Sequence, residues 1–455
     1  MTKLSFQDAF FLRGETPTSH AHVAALMLFT PPDNAPADYL QRLAGKLGTL
    51  NELWPAFGRK LDNPDSLRTP SWIAATDYEA SDHVLHYAVA EPGTMDELLR
   101  LVEQSHEELL DRGQPLWQVH LIEGLEHGRF AIYFKVHHAV MDGVAGLHMI
   151  RHMLSDDPRC ESIGAAGMPL RRHNPGKAAS LRAVSDTVLS LLKHVGAVPE
   201  AVGSLAQHSL QALLGHKDDP LPPFAAPRTM LNGEIDGRRR IVICDLPLRR
   251  VREIGKHYGG TINDVVLAVT GAALRDYLLD QDALPARTLD AGVPVSVRGT
   301  GPNAGNQLSF LVCPFATEHD DPVRRLKRVI RTTRKAKKEL GHMSPAATED
   351  LATMLMLPFL LMSMTRATQV FPPFINTIVS NVPGPEKPLY LDGARLERLY
   401  PLSVIMDGIG LNITVISCRT KLCFGITSCP THQPGIDTLG PYLRRAYREL
   451  LATLD

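Results

Sequence analysis

The sequence predicts an α/β protein of two domains, and three observations lead to this prediction. The chain has 455 residues, 44% of them hydrophobic and 21% charged, which is typical of a globular protein large enough for two separate cores. Segments with the alternation of a strand take turns with segments of helical periodicity in both halves. A stretch of different composition, with few aromatic residues and a Pro-rich end, separates the two halves of the sequence. We therefore expect an N-terminal domain at 1–165, a helical connector at 166–225 and a C-terminal domain at 226–455.

The amino-acid composition limits the possible binding partners and indicates the cellular compartment. A formal net charge of −1 argues against nucleic acid as a main partner. The six cysteines lack the spacing of a disulfide framework or a metal site, so we interpret them as thiols in a reducing compartment and expect no metal. The first residues lack the apolar core of a signal peptide, which predicts a cytoplasmic protein.

The first domain is predicted to alternate helices and strands. Helix starts are indicated by Ser, Pro or a capping box, and strands by short apolar or alternating runs. The predicted elements are a helix from Ser5, a strand at 22–29, a helix at 37–47 with Pro36 at its first position, one or two strands within 72–89, a helix from the capping box at 94–97 to about Arg112, and a strand from Pro115 through Leu121.

The run Val-His-His-Ala-Val-Met-Asp-Gly at 136–143 is the predicted active site. Residues 130–136 alternate like a half-buried strand, and apolar residues at helical spacing follow the run, so it joins a strand to a helix. Adjacent residues leaving a strand point to opposite sides, so one of His137 and His138 is a candidate base and the other is structural. A neutral imidazole can take the proton of an alcohol as that alcohol attacks a carbonyl.

Asp142 is too near in sequence to be assigned as the partner of the base. It either caps the helix or pairs with a distant arginine. The alternative for the whole run is a structural histidine pair at a sheet edge with an Asp cap. The full pattern His-His-x-x-x-Asp-Gly is more restrictive, and it resembles the signature of the coenzyme A-dependent acyltransferase superfamily, which includes chloramphenicol acetyltransferase and the condensation domains of peptide synthetases.

The connector and the start of the second domain are predicted to be mostly helical. Apolar residues within 179–214 form one helical face, which packs across the domain junction or, as the alternative, contacts a membrane surface. A strand at 238–246 and a helix at 251–257 precede a long buried helix that Thr261 or Asn263 caps. Asn263 and Asp264 are explained as capping residues, with polarisation of a carbonyl oxygen as the alternative.

Arg298 ends a buried strand that begins at 292, and an arginine in such a place needs a carboxylate partner, for which Asp142 is our candidate. The helix at 323–340 is strongly basic, which is usual for a solvated face; a role with coenzyme A phosphates or anionic lipid is the alternative. Residues 351–365 are uncharged and rich in Leu and Met, which indicates a cavity wall or a buried helix. A hairpin at 410–427 and a helix at 436–454 complete the prediction.

Motifs along nearly the whole chain, in matching order, resemble the bacterial wax ester synthase/diacylglycerol acyltransferase family. They lie at 115–117, 137–143, 263–264, 294–298, 305–307, 380–385 and 411–414. Where that family continues the last motif with Ser-Tyr, this chain has Ile416-Ser417-Cys418, so an aromatic hydroxyl is missing there.

The resemblance implies two chloramphenicol-acetyltransferase-like domains, each a mixed sheet with flanking helices, and an active-site tunnel at their interface. It implies transfer of a long-chain acyl group from acyl-coenzyme A to a fatty alcohol or diacylglycerol, with His138 as general base. The thioester is already activated, so deprotonation, alignment and oxyanion stabilisation suffice. No Gly-x-Ser-x-Gly elbow is present. We therefore expect direct transfer in a ternary complex without a cofactor.

Two alternatives are a condensation-like transferase that uses a carrier-protein-bound donor and a non-catalytic lipid-binding scaffold. For the acyltransferase, apolar substrates imply peripheral association with the inner face of the cytoplasmic membrane or with lipid inclusions.

Three groups of site residues follow from these motifs. The catalytic group is His138 with His137 and Asp142. Support of the oxyanion or of the histidine loop is expected from Gly143, Asn263, Asp264 and Arg298. Substrate contacts are expected from Pro115, Leu116, Trp117, Asn306, Gln307, Met354, Met356, Ser380 and Asn381.

Overall fold

A computed structural model describes residues 2–4, 6–64, 70–164, 226–298, 306–341, 368 and 372–454. The predicted connector at 166–225 lies outside the described residues, as do Met354 and Met356. Of Arg298, Asn306 and Gln307, the backbone is described.

Fifteen strands and nine α-helices make up the described part of the chain. The strands are β1 (Thr2–Lys3), β2 (His22–Thr30), β3 (Arg59–Asp62), β4 (Ser71–Ala74), β5 (Val84–Ala88), β6 (Trp117–Leu125), β7 (Arg129–His137), β8 (Arg240–Pro247), β9 (Asp290–Arg298), β10 (Asn306–Pro314), β11 (Thr377–Val382), β12 (Tyr390–Leu391), β13 (Ala394–Leu402), β14 (Leu411–Cys418) and β15 (Lys421–Ser428). The helices are α1 (Phe6–Gly14), α2 (Tyr39–Leu47), α3 (Leu50–Leu53), α4 (Met95–Glu107), α5 (Gly143–Met153), α6 (Leu248–His257), α7 (Ile262–Asp280), α8 (Pro322–Gly341) and α9 (Leu439–Leu451).

Two six-stranded mixed sheets form the framework. The first has the order β12-β13-β2-β7-β6-β5, and the second has the order β10-β9-β11-β14-β15-β8. A small third sheet has the order β1-β4-β3, and its Leu61 belongs to the same hydrophobic cluster as Leu116 and Ala139. The prediction of an α/β fold with mixed sheets and flanking helices is confirmed.

The two large sheets have separate cores. In the first core, Trp117 is fully buried, stacks on Phe57 and donates its indole N–H to the Phe57 carbonyl at 3.0 Å. In the second, α7 is buried on nearly all sides and packs against α6, α8 and α9. A helix that is apolar all round belongs in the interior of a domain, which explains the continuous hydrophobic run at 265–269.

Helix α4 shows why one predicted bound was wrong. The capping box is present, since Glu97 N–H donates to the Thr94 hydroxyl and the Glu97 carboxylate accepts from Thr94 N–H at 2.7 Å. The helix ends at Glu107 rather than near Arg112. The fully buried Lys135 of β7 donates its ammonium hydrogens to two carbonyl oxygens at this end of the helix, at 2.7 and 3.0 Å. These bonds satisfy carbonyls that have no partner within the helix.

Helix α2 is also shorter than predicted. It begins at Tyr39, whose N–H donates to the carbonyl of Pro36 at 2.9 Å in the turn before the helix. Pro36 therefore belongs to that turn and is not the first helical residue.

The chain crosses between the sheets. Strands β12 and β13 come from the second half of the sequence but join the first sheet, where β13 pairs with β2 in antiparallel register. The start of a C-terminal domain at 226 remains a prediction. Dividing the chain at 226 does not assign one sheet to each part, because β12 and β13 would then be separated from the other strands of the first sheet. Gly425 of β15 fits this crossing, because a Cβ at that position would lie 1.9 Å from the Pro401 carbonyl oxygen of β13.

Carboxylates of α4 also join the sheets. Glu103 accepts from Ile241 N–H at 2.8 Å, and Glu107 accepts from Arg239 N–H at 2.7 Å. These acceptors cover the free edge of β8, whose N–H groups would otherwise be exposed. None of the described helices is long and apolar enough to cross a membrane.

Candidate active site

The histidine loop is held by backbone hydrogen bonds to two neighbouring segments. His137, the last residue of β7, donates its N–H to the Leu116 carbonyl at 3.0 Å, and His138 donates its N–H to the Ala21 carbonyl at 2.8 Å. A turn follows, closed by a bond of 2.9 Å from Val140 N–H to the His137 carbonyl. The predicted passage from strand to helix is confirmed.

Asp142 caps α5. Its Oδ1 accepts the N–H of Ala145 at 2.7 Å, in the position and geometry of an N-cap. This contact confirms the capping alternative. Pairing of Asp142 with Arg298 stays a prediction. Gly143 is the first residue of α5, and a Cβ there would meet no atom within 4 Å, so packing alone does not require glycine.

The side chain of His137 points into the domain. Its side chain is fully buried, and its Nδ1 accepts the N–H of Ala139 at 3.0 Å. A ring nitrogen that accepts carries no proton, so a neutral His137 holds its proton on Nε2. This Nε2 lies 3.5 Å from Oε1 of Glu15, a separation longer than a normal hydrogen bond but short enough for strong electrostatic attraction.

Glu15 is the centre of a buried cluster of polar side chains that lies against the histidine loop. Its Oε1 accepts Ala21 N–H at 3.1 Å, and its Oε2 accepts from Arg112 Nη2 at 3.1 Å and Nε at 3.2 Å. Burial by itself raises the pKa of Glu15, but the interactions with His137, Ala21 and Arg112 outweigh burial and leave the pKa below its usual value. Glu15 is therefore ionised at neutral pH.

His138 lies on the opposite side and is half-buried. Its ring stacks on Phe11 of α1, with 3.8 Å between ring centroids and an interplanar angle of 21°. Desolvation lowers the pKa of His138 to about 4, although the nearby Asp142 carboxylate acts in the raising direction. The imidazole is therefore neutral at physiological pH, as a general base must be.

Helix α1 and the residue just after it contact both histidines. Phe11 and Glu15 are four residues apart, a spacing that puts side chains on one face of a helix, and they meet His138 and His137 respectively. Neither these two residues nor Arg112 were predicted from the sequence as part of the site. The one available signal was a carboxylate directly after an apolar helix, which is common at helix ends on protein surfaces.

The predicted support residues Asn263 and Asp264 lie in the first turn of α7, where the described hydrogen bonds are those of a helix cap. Thr261, rather than Asn263, is the N-cap, and Asp264 completes a capping box with it. The other oxygen of Asp264 accepts the hydroxyl of Thr333 on α8 at 2.6 Å. Asn263 is half-buried at the second position of α7. A role for Asn263 at the oxyanion stays a prediction.

Arg298, Asn306 and Gln307 lie together at one end of the β9–β10 pair. Arg298 is in register with Asn306, and Gln307 with Val297. This placement brings two of the predicted motifs side by side through the backbone.

The Pro115-Leu116-Trp117 motif supports the loop from behind. Leu116 and Trp117 are buried, and the Leu116 carbonyl is the acceptor for His137 N–H. The described contacts of Leu116 and Trp117 are thus with the domain core and the histidine loop. Substrate contact by Pro115, Leu116 and Trp117 stays a prediction.

Ser380 and Asn381 are half-buried near the end of β11, in register with Thr414 and Val415 of β14. After β11 the chain turns at Gly384, whose N–H donates to the Ser417 hydroxyl at 2.8 Å. A Cβ on Gly384 would lie 1.9 Å from the Ser417 carbonyl oxygen, so this contact excludes other residues.

The same turn contacts the far end of α5. Arg151 Nη2 donates to the Pro383 carbonyl at 3.2 Å. Helix α5 therefore begins at the histidine loop and ends at the turn after β11, which links motifs from the two halves of the chain.

A surface cavity of about 510 Å³ lies elsewhere, beside α2, with Pro36, Tyr39, His86 and Phe130 in its wall. Phe130 is at the start of β7 and His137 is at its end, so this cavity is at the opposite end of the sheet from the histidine loop.

Comparison with known proteins gives one consistent result. Residues 4–266 match the wax ester synthase/diacylglycerol acyltransferase catalytic domain, and residues 304–451 match the C-terminal domain of the same enzymes. A putative diacylglycerol O-acyltransferase of Mycobacterium tuberculosis is 36% identical over 97% of this chain and 98% of its own length. The O-acyltransferase WSD of Acinetobacter baylyi is 34% identical over 96% of this chain and 94% of its own length.

Solved structures agree. The wax ester synthase/diacylglycerol acyltransferase from Marinobacter aquaeolei VT8 superposes with a TM-score of 0.79 at 33% identity, covering 100% of this chain and 99% of that one. A starter condensation domain of rhizomide synthetase RzmA, crystallised with C8-CoA and Leu-SNAC, covers 99% of this chain and 94% of its own with a TM-score of 0.57 at 15% identity. The likeness to the condensation domain concerns the fold alone.

Proposed function

The chain belongs to the wax ester synthase/diacylglycerol acyltransferase family, and from this premise we propose that it transfers a long-chain acyl group from acyl-coenzyme A to the hydroxyl of a fatty alcohol, of diacylglycerol, or of both. The observation that carries the proposal is the half-buried, neutral His138, fixed between Phe11 and a capped helix at the end of β7.

The proposed reaction needs one general base. His138 takes the proton of the acceptor hydroxyl while the hydroxyl oxygen attacks the thioester carbonyl, which forms a C–O bond and a tetrahedral oxyanion. The oxyanion collapses, the C–S bond breaks, and the sulfur of coenzyme A leaves with the proton that His138 held. The products are the ester and free coenzyme A, and the imidazole returns to its neutral form. The thioester bond is activated, so the step needs no enzyme nucleophile.

The surrounding residues are proposed to hold the base rather than to react. Phe11 restricts the ring of His138, and Glu15 with Arg112 fixes His137 and the end of β7. Oxyanion support is proposed from Gly143 or Asn263, and Arg298 is proposed to bind Asp142. Acceptors with long chains imply that the enzyme meets a membrane or a lipid inclusion, which we propose as its site of action.

An acceptor panel tests the proposal. Purified protein is incubated with palmitoyl-coenzyme A and either hexadecanol or diolein, free thiol is followed, and esters are separated by thin-layer chromatography. We expect one or both esters in equal amount to the released thiol. Binding of acyl-coenzyme A without any ester would favour a lipid-binding scaffold, and a requirement for a carrier protein would favour the condensation-like alternative.

The base is tested by His138→Ala, with His148→Ala as the matched control because His148 is exposed on α5. Removing a general base lowers kcat by about 10²–10⁴-fold. His148→Ala is expected to retain the wild-type kcat. Full activity in His138→Ala would contradict the assignment.

The pH profile gives a second measure of the base. Because the pKa of His138 is lowered to about 4, we expect kcat/KM to stay constant between pH 8 and pH 6. A base with the ordinary imidazole pKa near 6.5 would be half protonated at pH 6.5, so the enzyme would lose about half of its activity when the pH falls to 6.5. An acid limb centred near pH 6.5 would therefore contradict the desolvated state of His138.

A further inference from the structure

Over the described side chains of α8, up to Lys338, the outward side carries charge of a single sign. Among the described side chains of this helix, seven are exposed, from Arg324 to Lys338, and every one is a lysine or an arginine. The inward side, which includes Leu326, Val329 and Ile330, is buried. Solvation alone, the first interpretation of this run, does not require a single sign, because a helix face with both signs is equally well solvated and gains pairing between its charges.

This arrangement opposes the stability of the helix. Like charges three or four residues apart repel each other, and the exposed set contains several such pairs, including Lys327 with Arg331 and Arg334 with Lys338. Acidic residues at some of these positions would stabilise the helix. The uniform positive charge therefore needs an explanation other than folding.

Helix α6 extends the charged surface. It exposes Arg249, Arg252 and Lys256, and its C-terminal end meets α8, where Arg334 donates to the Gly259 carbonyl at 2.8 Å and Lys327 Nζ lies 5.9 Å from the centre of the Tyr258 ring. We call the exposed lysines and arginines of α6 and α8 the basic face.

The charge is concentrated here and balanced elsewhere. The two helices hold thirteen of the chain's 48 lysines and arginines but two of its 49 carboxylates, while the net charge of the whole chain is −1. The rest of the molecule is therefore negative, and the protein is electrostatically polarised. Such a molecule orients with its basic face toward an anionic surface.

The shape of the basic face indicates the kind of partner. From Arg324 to Lys338 the helix runs for about 21 Å, α6 packs against the same helix α7, and the C-terminal end of α6 contacts α8, so the cations spread over the outside of these helices. A small anion such as the phosphates of coenzyme A binds in a concave site with converging donors. Charges spread over a broad, outward-facing area fit an extended array of negative headgroups.

We propose that the basic face binds the surface of a membrane that contains anionic phospholipid. The inference extends the proposed function by naming the surface through which the enzyme reaches its lipid, but the binding itself needs no catalysis. It predicts binding that depends on the headgroup charge and decreases as salt rises.

The test uses the whole 455-residue chain and vesicle flotation. Vesicles are made of phosphatidylcholine alone or mixed with an equal amount of phosphatidylglycerol, at low and high ionic strength. The test variant replaces Arg324, Lys327, Lys337 and Lys338 by Gln. The matched control replaces Arg42, Arg100, Arg159 and Lys387 by Gln, four exposed cations on other elements.

We expect the wild type to bind the anionic vesicles at low salt and not the neutral ones. Each cation near an anionic membrane strengthens binding about fivefold, so the test variant should bind at least a hundredfold more weakly. The control variant should bind like the wild type, and a variant with Lys327, Lys337 and Lys338 replaced by Arg should retain binding. Loss of like-charge repulsion should leave the thermal unfolding temperature of the test variant unchanged or higher.

Three results would overturn the proposal. They are equal binding to neutral vesicles, equal loss in the control variant, and wild-type vesicle binding by the test variant. A raised KM for palmitoyl-coenzyme A in the test variant with unchanged vesicle binding would assign the face to the soluble substrate instead. Ester formation from detergent-dispersed hexadecanol is measured in parallel, so that failure of membrane binding and failure of the acyltransferase reaction are distinguished.

Discussion

At the scale of single residues, the site depends on how two adjacent histidines are separated. The strand directs His137 into the domain, where Ala139 and Glu15 fix it, and leaves His138 half-buried against Phe11. One histidine is thus held by contacts inside the domain, and the other is the one to which we assign the proposed chemistry. The alternation of a strand predicts this division, but it does not predict which residues receive each ring.

Glu15→Gln tests the cluster of polar side chains that lies against the histidine loop. The substitution keeps the side-chain size but removes the charge that attracts His137 and Arg112. We expect kcat to fall about ten- to hundredfold with little change in KM, because a small displacement of the base lowers the rate without altering substrate binding. Glu97→Gln on α4, which alters a capping box away from the loop, is the control and should keep the wild-type kcat. An unchanged kcat in Glu15→Gln would show that Glu15 does not position the loop.

His120 is expected to make the stability of the protein depend on pH. Its ring is buried between Tyr87 and Tyr133, and desolvation lowers its pKa to about 3, with the Lys135 ammonium acting in the same direction. Below pH 6.5 the unfolded chain binds a proton that the folded protein does not, so stability is lost as the pH falls. At pH 5 this costs about 2 kcal/mol.

His120→Phe removes that titration. The free energy of unfolding is measured by urea denaturation for both proteins at pH 8 and pH 5. Between these two pH values, we expect the wild type to lose about 2 kcal/mol more stability than the variant. His148→Gln, at an exposed position, should leave the pH dependence unchanged. The same pH dependence in His120→Phe as in the wild type would show that His120 can be protonated in the folded protein.

At the scale of elements, helix α5 connects the histidine loop to the turn after β11. Its N-terminus is capped by Asp142, and its last turn reaches the Pro383 carbonyl through Arg151. The start of this helix was predicted from Asp142 and Gly143 because capping is a local interaction. The contact at its other end joins residues 232 positions apart and has no local signal.

Asp142→Asn and Asp142→Ala separate the cap from the charge. Asparagine keeps an oxygen that can accept Ala145 N–H, so its free energy of unfolding should lie within about 0.5 kcal/mol of the wild type, whereas alanine should cost about 1 kcal/mol. The measurement is equilibrium denaturation of both variants. If asparagine destabilises as much as alanine, the charge of Asp142 has a partner, and Arg298 is then the first residue to examine.

Most helices and strands were predictable from the sequence, but not all of the elements that they pack against or pair with. Strands β2 and β7 and the capping box of α4 follow from alternation and from residues within one turn. The position of β13 in the first sheet does not, because β2 and β13 are joined by pairing across more than 360 residues. Glu15 was missed for the same reason, since its partners Arg112 and His137 are distant in sequence.

At the scale of the whole molecule, the two sheets are expected to unfold together. Strand β13 belongs to the first sheet and packs on the second, Arg398 pairs with Asp245 at 2.5 Å, and α4 caps the edge of β8. Differential scanning calorimetry should therefore show a single transition for both cores. Arg398→Ala should lower its temperature without splitting it. Two well-separated transitions in the wild type would show that the sheets are independent.

The crossing of β13 also has a consequence for synthesis on the ribosome. Strand β7 is complete at residue 137, but β13, which covers the other side of β2, begins at residue 394. At the usual rate of translation the β2 edge waits roughly 15–50 s for its partner. During that time a nascent chain exposes an apolar strand edge, the kind of surface that other chains can pair with. Efficient production of this protein is therefore expected to depend on chaperones that bind the emerging first half.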